Sequence, residues 1–411
     1  MPIPFHQIAL LGNKFCAVLL CLALLPAVSQ AEELLIKSIT VETPLNAPDD
    51  GTYWMQARPG KIPKRPGEPS ADQPLEVITL QAIDGNGTHM YHGMSSMWSD
   101  DHGNSWQGPQ QDPALDRRTM ANGLIEVPVD MTPQWHAKSG KLLLTGATFW
   151  LDPKLKKHAP NGGSDIAYSA YDPRTHQWAP WKKVELPDSP QFHFARSGCS
   201  QRYDLPNGDI LLPIYFGGAG NDSRHFAMVL RCQFDGKTLR VEEQGNALSI
   251  DIDRGFVEPS LTKFGETFFL TLRNDRGAYV TTSQDGLHFD KPKPWAFDDG
   301  QPLGSYNTQQ HWVTHSDGLF LAYTRKGADN DDIFRHRAPL FIAQVDPQKL
   351  VVLRQTEQTL LPKLKDGFGN FGLSNISPEE TWVVAGRSRA KSGEPSLYLS
   401  RIQWSKPNAA P

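Results

Sequence analysis

The chain has 411 residues, of which 39% are hydrophobic and 21% charged, and its formal net charge is −4. It contains 34 Gly, 33 Pro, 11 Trp, 10 Tyr and 19 Phe, a composition that favours many short strands joined by tight turns. The small negative charge and the absence of a long Lys/Arg run argue against nucleic acid as a partner. The composition also excludes a collagen, a coiled coil and a multi-span membrane protein.

The first 31 residues have the pattern of an export signal. Lys14 precedes an apolar run over residues 15–26, and the small residues Ser29 and Ala31 occupy the −3 and −1 positions of a cleavage site. The run is shorter than a relaxed membrane span, so a cleaved signal is favoured over an uncleaved anchor. We predict a signal peptide over residues 1–31 and a secreted or periplasmic mature protein that has no membrane contact after cleavage.

Two cysteines remain in the mature chain, Cys199 and Cys232. In an oxidising compartment two cysteines either form a disulfide or stay as two buried thiols. The sequence leaves both alternatives open.

A turn motif repeats along the mature chain. Residues 99–106 read Ser-x-Asp-x-Gly-x-Ser-Trp, in which the Asp101 carboxylate accepts backbone N–H bonds across a tight turn and Trp106 packs beneath it. Weaker copies of the turn carry Asp172, Asp235, Asp285 and Asp346. The five aspartates are spaced by roughly 60 residues, which indicates a repeated structural unit.

Each unit contains short apolar runs separated by turn residues. The strands predicted in units two to six are residues 125–136, 141–149, 165–171; 194–205, 209–216, 226–234; 256–263, 267–273, 278–282; 309–314, 319–323, 339–345; and 372–376, 381–385, 396–402. No segment shows a sustained helical period. We predict an all-β fold, a six-bladed β-propeller of four-stranded antiparallel blades, as a single domain over residues 32–411. Residues 34–41 are expected to supply a strand that closes the ring.

The motif at residues 99–106 is the Asp-box, and the chain resembles the sialidase/neuraminidase superfamily over about residues 50–404. Within that superfamily it is most similar to bacterial exo-α-sialidase-like proteins, which share segments such as residues 130–136, 334–340 and 369–372. The resemblance implies an exo-acting glycoside hydrolase that removes a terminal, carboxylate-bearing sugar, with a glycan or a small acidic sugar as its partner.

The resemblance also implies site residues. Sialidases clamp the substrate carboxylate with three arginines and use a tyrosine nucleophile, a glutamate and an acid/base aspartate. Glu258 matches the family's glutamate, and Arg273 and Arg337 match its second and third arginines. Arg58 is the candidate for the first arginine, although the family's Arg-Ile-Pro motif is absent there.

The family's tyrosine has no counterpart at the expected position. The inner strand of the last unit begins Gly369-Asn-Phe-Gly372, which carries no hydroxyl group. Tyr306, in the loop before the inner strand of unit five, is the candidate replacement.

The residue pattern itself predicts a polar central funnel. In a propeller the inner strands surround one axis, and burying polar side chains there is costly unless they meet water or a ligand. The predicted catalytic residues are Glu258, His136, Asp130 and Tyr306. The predicted carboxylate ligands are Arg58, Arg273, Arg335 and Arg337, and further funnel-lining residues are Arg196, Gln201, His311 and Asn370.

Two reservations apply to the histidines and acids of this set. Asp130 and His136 share one face of a strand but lie about 20 Å apart if that strand is straight, so a direct partnership requires a bend. His136 and His311 are acid/base candidates because imidazole titrates near neutrality, yet each is equally suited to a structural hydrogen bond.

Two other functions remain open at this stage. A polysaccharide lyase would use His and Tyr to remove the proton beside a uronate carboxylate, and a non-catalytic propeller would bind carbohydrate without turnover. No His-x-His or Cys-x-x-Cys spacing occurs, and we predict neither a metal nor a cofactor.

Overall fold

Short strands and tight turns build six small antiparallel sheets arranged around one axis. The computed structural model describes residues 34–63, 74–84, 90–154, 163–218 and 224–410. The structure confirms the predicted six-bladed β-propeller. The predicted signal peptide lies outside the described residues. Across the described ranges, no helix is long and apolar enough to cross a bilayer.

The first three blades follow one another along the chain. The strands of blade 1, from the axis outward, are Thr52–Ile62, Leu75–Asp84, Tyr91–Ser99 and Gln107–Gln111. Those of blade 2 are Ile125–His136, Lys141–Leu151, Ile166–Asp172 and the short outer pieces Gln177–Trp178 and Lys182–Lys183, with Arg118–Thr119 paired to the inner strand. Those of blade 3 are Phe194–Arg196 with Tyr203–Asp204, then Asp209–Gly217, Phe226–Phe234 and Leu239–Gln244.

The last three blades repeat the pattern. The strands of blade 4 are Val257–Phe264, Thr267–Arg273, Ala278–Ser283 and Lys293–Pro294. Those of blade 5 are His311–His315, Gly318–Tyr323, Leu340–Asp346 and the outer pieces Val351–Val352 and Gln358–Leu361. Those of blade 6 are Phe368–Ser377, Glu380–Arg387, Pro395–Trp404 and Ile36–Asn46. Four 3-10 turns, Pro113–Leu115, Pro190–Phe192, Phe334–His336 and Arg354–Thr356, lie in the connections.

Two inner strands differ from the predicted ones. The predicted strand over residues 194–205 is interrupted, with pairing only at Phe194–Arg196 and Tyr203–Asp204. The inner strand of blade 6 begins at Phe368, ahead of the predicted start at residue 372. Both differences fall where the backbone is irregular, and a regular two-residue alternation does not describe such segments.

The turn aspartates occupy one equivalent place in five blades, the turn that follows the third strand. At Asp101 the carboxylate accepts hydrogen bonds from Ser99 Oγ at 2.8 Å and from the Ser105 N–H at 2.9 Å. Gly103 has a φ of +75°, and a Cβ there would lie 2.8 Å from the Trp382 ring of blade 6. This turn therefore requires glycine both for its backbone and for its contact with the neighbouring blade.

The apolar core is divided into wedges between neighbouring blades. One cluster joins blades 5 and 6 through residues such as Val313, Phe320 and Val383, and comparable clusters occupy each of the other inter-blade boundaries. The hydrophobic driving force therefore holds the blades side by side. The axis itself is left free for polar groups.

Ring closure joins the two ends of the described chain. The strand Ile36–Asn46 pairs antiparallel with Pro395–Trp404, which confirms the predicted closing strand. Arg401, which is 8% exposed, donates to Glu380 Oε1 at 2.9 Å and to Glu42 Oε1 at 2.8 Å. It also donates to the carbonyl of His102 in the blade 1 turn. One guanidinium thus ties the closing strand, blade 6 and blade 1 together.

The substitution Arg401→Met should lower the free energy of unfolding by about 3 kcal/mol, because it leaves the buried carboxylate of Glu380 without its cationic partner. Urea unfolding followed by tryptophan fluorescence measures this loss. The control Arg240→Met removes an exposed ion pair with Asp235, and we expect it to cost less than about 1 kcal/mol. Equal losses in the two variants would contradict a special role for Arg401 in ring closure.

Candidate functional site

Five of the six inner strands are irregular near their starts, at the end of the funnel that we call the funnel mouth. The strand register shifts after Met55, Val129, Val257 and Phe368, and the blade 3 strand is interrupted. Bulges of this kind re-aim a side chain. The residues at these points, together with Asn307 in the segment just before the blade 5 strand, form what we call the bulge ring: Gln56, Asp130, Cys199, Glu258, Asn307 and Asn370. The first five have left-handed φ values of 58°, 56°, 55°, 48° and 51°.

Contacts across the axis show that the bulge ring converges. Cys199 Sγ of blade 3 accepts hydrogen bonds from Asn370 Nδ2 of blade 6 at 2.9 Å and from Arg58 Nη2 of blade 1 at 3.2 Å. Blade 3 neighbours neither blade, so these bonds cross the funnel. Burial, together with the carboxylate of Asp130, raises the pKa of the Cys199 thiol well above its usual range. The thiol stays protonated and serves as a fixed acceptor.

The two cysteines do not form a disulfide. Both are free and buried, and Cys232 packs in the apolar wedge between blades 2 and 3. Of the two alternatives that the sequence leaves open, the structure has two buried thiols.

Arg58 lies at the floor of the site. It is 1% exposed, and its Nη1 donates to the carbonyls of Ala57 at 3.1 Å and Asn370 at 3.0 Å. A Cβ at Gly372 would come within 2.3 Å of Arg58 Cδ, so this glycine makes room for the arginine. Because its Nη groups are already used within the protein, this placement argues against the predicted role of Arg58 in a carboxylate clamp.

A chain of hydrogen bonds links the predicted residues of blades 4 and 5. Arg273 Nη1 donates to Glu258 Oε2 at 2.5 Å, and Arg273 Nη2 donates to Asn307 Oδ1 at 2.7 Å. Arg337 Nη2 donates to the Asn307 carbonyl at 3.0 Å. Asn307 therefore holds the two arginines beside one another, with Glu258 as the neighbouring carboxylate.

This part of the funnel mouth carries surplus positive charge. Among the described residues, arginines outside the funnel mostly pair with a carboxylate, as Arg325 does with Glu357 at 2.6 Å. Within the described chain, Arg335 and Arg337 form no such pair. Burial and the nearby charge of Arg273 lower the pKa of Arg337 to about 10. An anion placed here would be neutralised by groups that now lack a counter-charge.

Tyr306 belongs to a second polar chain at the same place. Its hydroxyl lies 2.6 Å from His336 Nδ1, and His336 Nε2 lies 3.1 Å from Asp331 Oδ1. If His336 donates a hydrogen bond from Nε2 to Asp331, its Nδ1 accepts a hydrogen bond from the Tyr306 hydroxyl. Burial raises the pKa of Tyr306, so this hydroxyl is a proton donor rather than a phenolate.

The turn that carries His336 is strained. Arg335 and His336 have φ values of 57° and 51° within the 3-10 turn Phe334–His336. Two successive non-glycine residues in the left-handed region are costly and tend to occur at functional sites.

Asp130 and Arg196 lie on the other side of the funnel mouth. The Asp130 side chain is buried, and within the described chain its Oδ1 has no hydrogen-bond partner. Arg196 donates from Nε to Ser164 Oγ at 2.8 Å, and no carboxylate of the described chain pairs with it. Asn370 Oδ1 likewise has no partner among the described residues. These polar groups are left unsatisfied by the residues that the structure describes.

His136 lies away from this cluster. It stands at the far end of the blade 2 inner strand, where Nδ1 lies 2.8 Å from Ser139 Oγ and Nε2 lies 2.9 Å from the Gly208 carbonyl. It borders a cavity of about 930 Å³ at the opposite end of the funnel. The predicted catalytic role of His136 therefore does not fit its position, and the bend needed to bring it to Asp130 is absent.

His311 and Gln201 join blades within the funnel wall. His311 contacts Ser260 Oγ through Nδ1 at 2.8 Å and the Phe371 carbonyl through Nε2 at 3.1 Å. Gln201 exchanges two hydrogen bonds with the backbone of Trp312. The polar atoms of both residues are engaged in holding blades 3 to 6 together.

The sequence predicted no role for His336, and it left Cys199 as either half of a disulfide or a buried thiol. His336 lies between Arg335 and Arg337, two predicted carboxylate ligands, and this position in the sequence could have indicated a role at the same site. The position of Cys199 in the bulge ring depends on a left-handed backbone that no sequence pattern indicates. In the described part of the chain, no group of three His, Cys, Asp or Glu side chains is placed to hold a metal.

Comparisons with known proteins support the fold. No family model and no curated protein matches the sequence. A Dyadobacter fermentans protein of unknown function matches with a TM-score of 0.60 at 14% identity, covering 90% of this chain and 100% of its own. The Hadza microbial sialidase Hz136 matches with a TM-score of 0.57 at 13% identity, covering 87% and 67%.

A Trypanosoma rangeli sialidase in complex with sialic acid matches with a TM-score of 0.56 at 12% identity. The match covers 90% of this chain but 59% of the trypanosomal protein, so the chain spans less than two thirds of that protein. At these identities the similarity shows a shared sialidase-like fold.

The pH dependence of stability tests the structural role of His311. Burial, with the nearby charge of Arg58, lowers the pKa of His311 to about 3 from an unfolded value near 6.5. Between these two pH values the unfolded chain binds a proton that the folded chain does not. The contribution of His311 to the free energy of unfolding therefore falls by up to about 1.4 kcal/mol per pH unit as the pH drops below 6.5.

The variant His311→Gln should be less stable at neutral pH, but its stability should decline less steeply between pH 6.5 and pH 5. Urea unfolding at several pH values measures both slopes. Parallel slopes in wild type and variant would show that His311 is not held neutral in the folded protein.

Arg337→Gln tests the surplus charge. Arg337 is a half-buried cation that has no counter-charge in the described chain. Its replacement by an uncharged residue should raise the free energy of unfolding of the ligand-free protein by about 0.5–2 kcal/mol, because residues that serve function often lower stability. Thermal unfolding without ligand measures the change. Arg325→Gln, which breaks an ion pair with Glu357, should shift stability in the opposite direction, and a loss of stability in Arg337→Gln would contradict the argument.

Proposed function

We propose that the chain is a sialidase-like glycoside hydrolase that releases a terminal, carboxylate-bearing sugar from a glycan. The observation that carries this proposal is the surplus positive charge of Arg335 and Arg337 beside the Glu258–Arg273 pair. Guanidinium groups bind carboxylates in a planar, bidentate geometry. A sialidase-like fold, with the Trypanosoma rangeli sialidase solved in complex with sialic acid, supports an acidic sugar as the ligand.

In the proposed reaction, water cleaves the glycosidic C–O bond. The water oxygen joins the anomeric carbon, and the leaving-group oxygen gains a proton. Arg337 and Arg335 hold the sugar carboxylate and so fix the anomeric carbon near the axis. The carboxylate of Glu258, buried in the centre of the funnel, stabilises the positive charge that develops on the sugar ring.

Tyr306 and Asp130 complete the proposed set. In the proposed reaction the neutral hydroxyl of Tyr306 turns from His336 Nδ1 to the leaving-group oxygen and donates its proton there. Asp130, whose Oδ1 has no hydrogen-bond partner in the described chain, accepts a proton from the attacking water. Exchange with solvent then returns a proton to Tyr306 and removes the one on Asp130. We also propose that the predicted signal peptide directs export of the chain. Export would bring this site into contact with extracytoplasmic glycans.

The test measures free acidic sugar released from sialyllactose and from uronic-acid disaccharides by the mature protein. Glu258→Gln should lower kcat by about 100- to 1,000-fold, because a neutral amide no longer stabilises the developing charge. Ultraviolet absorbance is recorded in the same assays.

The matched control is Glu266→Gln, an exposed glutamate of the same blade that pairs with Lys263. We expect it to retain wild-type turnover. Full activity in Glu258→Gln, or an unsaturated product seen by its ultraviolet absorbance, would rule out the proposed hydrolysis at this site.

A further inference from the structure

Arg196 is an unusual arginine at the funnel mouth. Its guanidinium carbon lies 4.5 Å from the ring centre of Phe194 and 5.4 Å from that of Phe149. Its only hydrogen bond to a side chain in the described residues goes from Nε to Ser164 Oγ, a neutral group. The two rings and the hydroxyl fix the side chain without neutralising its charge.

Among the described residues, no carboxylate forms a direct ion pair with Arg196, and its aromatic neighbours are uncharged. His225 packs edge-on against Phe194 with ring centres 4.7 Å apart. Burial, with the charge of Arg254, lowers the pKa of His225 to about 4, so His225 is neutral at ordinary pH. Tyr215 is buried, and burial raises its pKa, so it is neutral as well. Of the side chains Arg196, His225 and Tyr215, only Arg196 is therefore charged.

Arg196 belongs to the same mouth as the proposed catalytic residues. Gly198, two residues after Arg196, packs so closely on Asp130 that a Cβ there would lie 2.8 Å from Asp130 Cβ, which places Arg196 beside the bulge ring. Arg196 stands on blade 3 against Phe149 of blade 2, whereas Arg337 stands on blade 5. Blade 4, which carries Glu258, lies between blades 3 and 5 in the ring. The funnel mouth therefore has two cationic points, one on either side of the blade that carries Glu258.

We propose that Arg196 is a second anion-binding point and that the substrate carries a negative charge on the sugar next to the one released. This inference rests on the proposed function. The terminal sugar places its carboxylate at Arg335 and Arg337, and the adjoining sugar places a carboxylate or sulfate at Arg196. The substrate class is then a glycan of consecutive acidic sugars.

The planar, stacked side chain suits this role. Stacking on two rings pre-orients the guanidinium, so little side-chain entropy is lost when an anion binds. Lysine would keep the charge but not the planar fork or the ring contacts. The site therefore discriminates between ligands by charge on the second sugar, and it does so through arginine in particular.

The test compares matched ligands by isothermal titration calorimetry of the mature protein. Digalacturonic acid is paired with its reducing-end methyl ester, and α2,8-linked disialic acid is paired with sialyllactose. Within each pair only the first ligand carries a charge on the second sugar. If a ligand is cleaved during the titration, Glu258→Gln is added to the wild type and to every variant, so that binding is measured without turnover.

Wild type should bind the doubly charged member of at least one pair about 10- to 100-fold more tightly than its partner, as expected for one charge-assisted contact. Arg196→Gln should abolish this preference without changing affinity for the singly charged ligand, and Arg196→Lys should retain part of it. Arg240→Gln, an exposed arginine on the outer strand of the same blade, should behave as wild type. Thermal unfolding of each variant verifies that it is folded.

The outcomes separate this inference from the proposed function. No preference for the second charge in wild type, or equal losses for both ligands in Arg196→Gln, overturns the role of Arg196. Binding of singly charged ligands that is unaffected by Arg337→Gln overturns the proposed carboxylate site, while an Arg196-dependent preference would still stand. If no ligand of the panel binds, both are overturned.

Discussion

The structure depends on one constraint: near the starts of the inner strands, the backbone departs from regular β-strand geometry. A regular strand on the axis would alternate side chains toward its two neighbouring blades. The left-handed backbone at Asp130, Cys199 and Glu258 instead turns one polar side chain per blade toward the axis. Their burial is tolerated because several have partners within the protein, such as Arg273 for Glu258 and Asn370 for Cys199, and because the apolar core is built in wedges between the blades.

From this arrangement it follows that no single blade makes the site. Blade 4 provides Glu258 and Arg273, blade 5 provides Asn307 and Arg337, and the floor is assembled from blades 1, 3 and 6. Their relative positions are therefore only as well defined as the closure of the ring. The ion pairs of Arg401, which join the closing strand to blades 1 and 6, thus bear on site geometry from the opposite end of the fold. A site with uncompensated cations needs such support, because its own electrostatics oppose folding.

The sequence predicted the fold well and the site partly, for physical reasons that differ. Strand alternation and the turn aspartates are local signals, and they placed strands such as Thr267–Arg273 and Phe226–Phe234 without error. The same alternation failed at Phe368 and after Arg196, where bulges break the two-residue period. Glu258 and Arg273 came together because paired strands bring them into register. His136 did not join them, because six residues along a strand carry it to the other end of the funnel. His336 depends on a strained turn that sequence patterns do not encode.

The position of Asn370 connects these points to the chemistry. In the family that the sequence resembles, a tyrosine is expected where the inner strand of blade 6 begins, and here Asn370 donates its amide to the Cys199 thiol. That blade thus contributes to the floor of the funnel and offers no hydroxyl group at this point. The nearest described arrangement of hydroxyl, imidazole and carboxylate is on blade 5, where Tyr306, His336 and Asp331 form a chain. A propeller fixes where side chains from six blades converge, but it does not fix which blade carries a given group. The proposed mechanism therefore takes its proton donor from blade 5, the same blade that carries the proposed anion-binding residues Arg335 and Arg337.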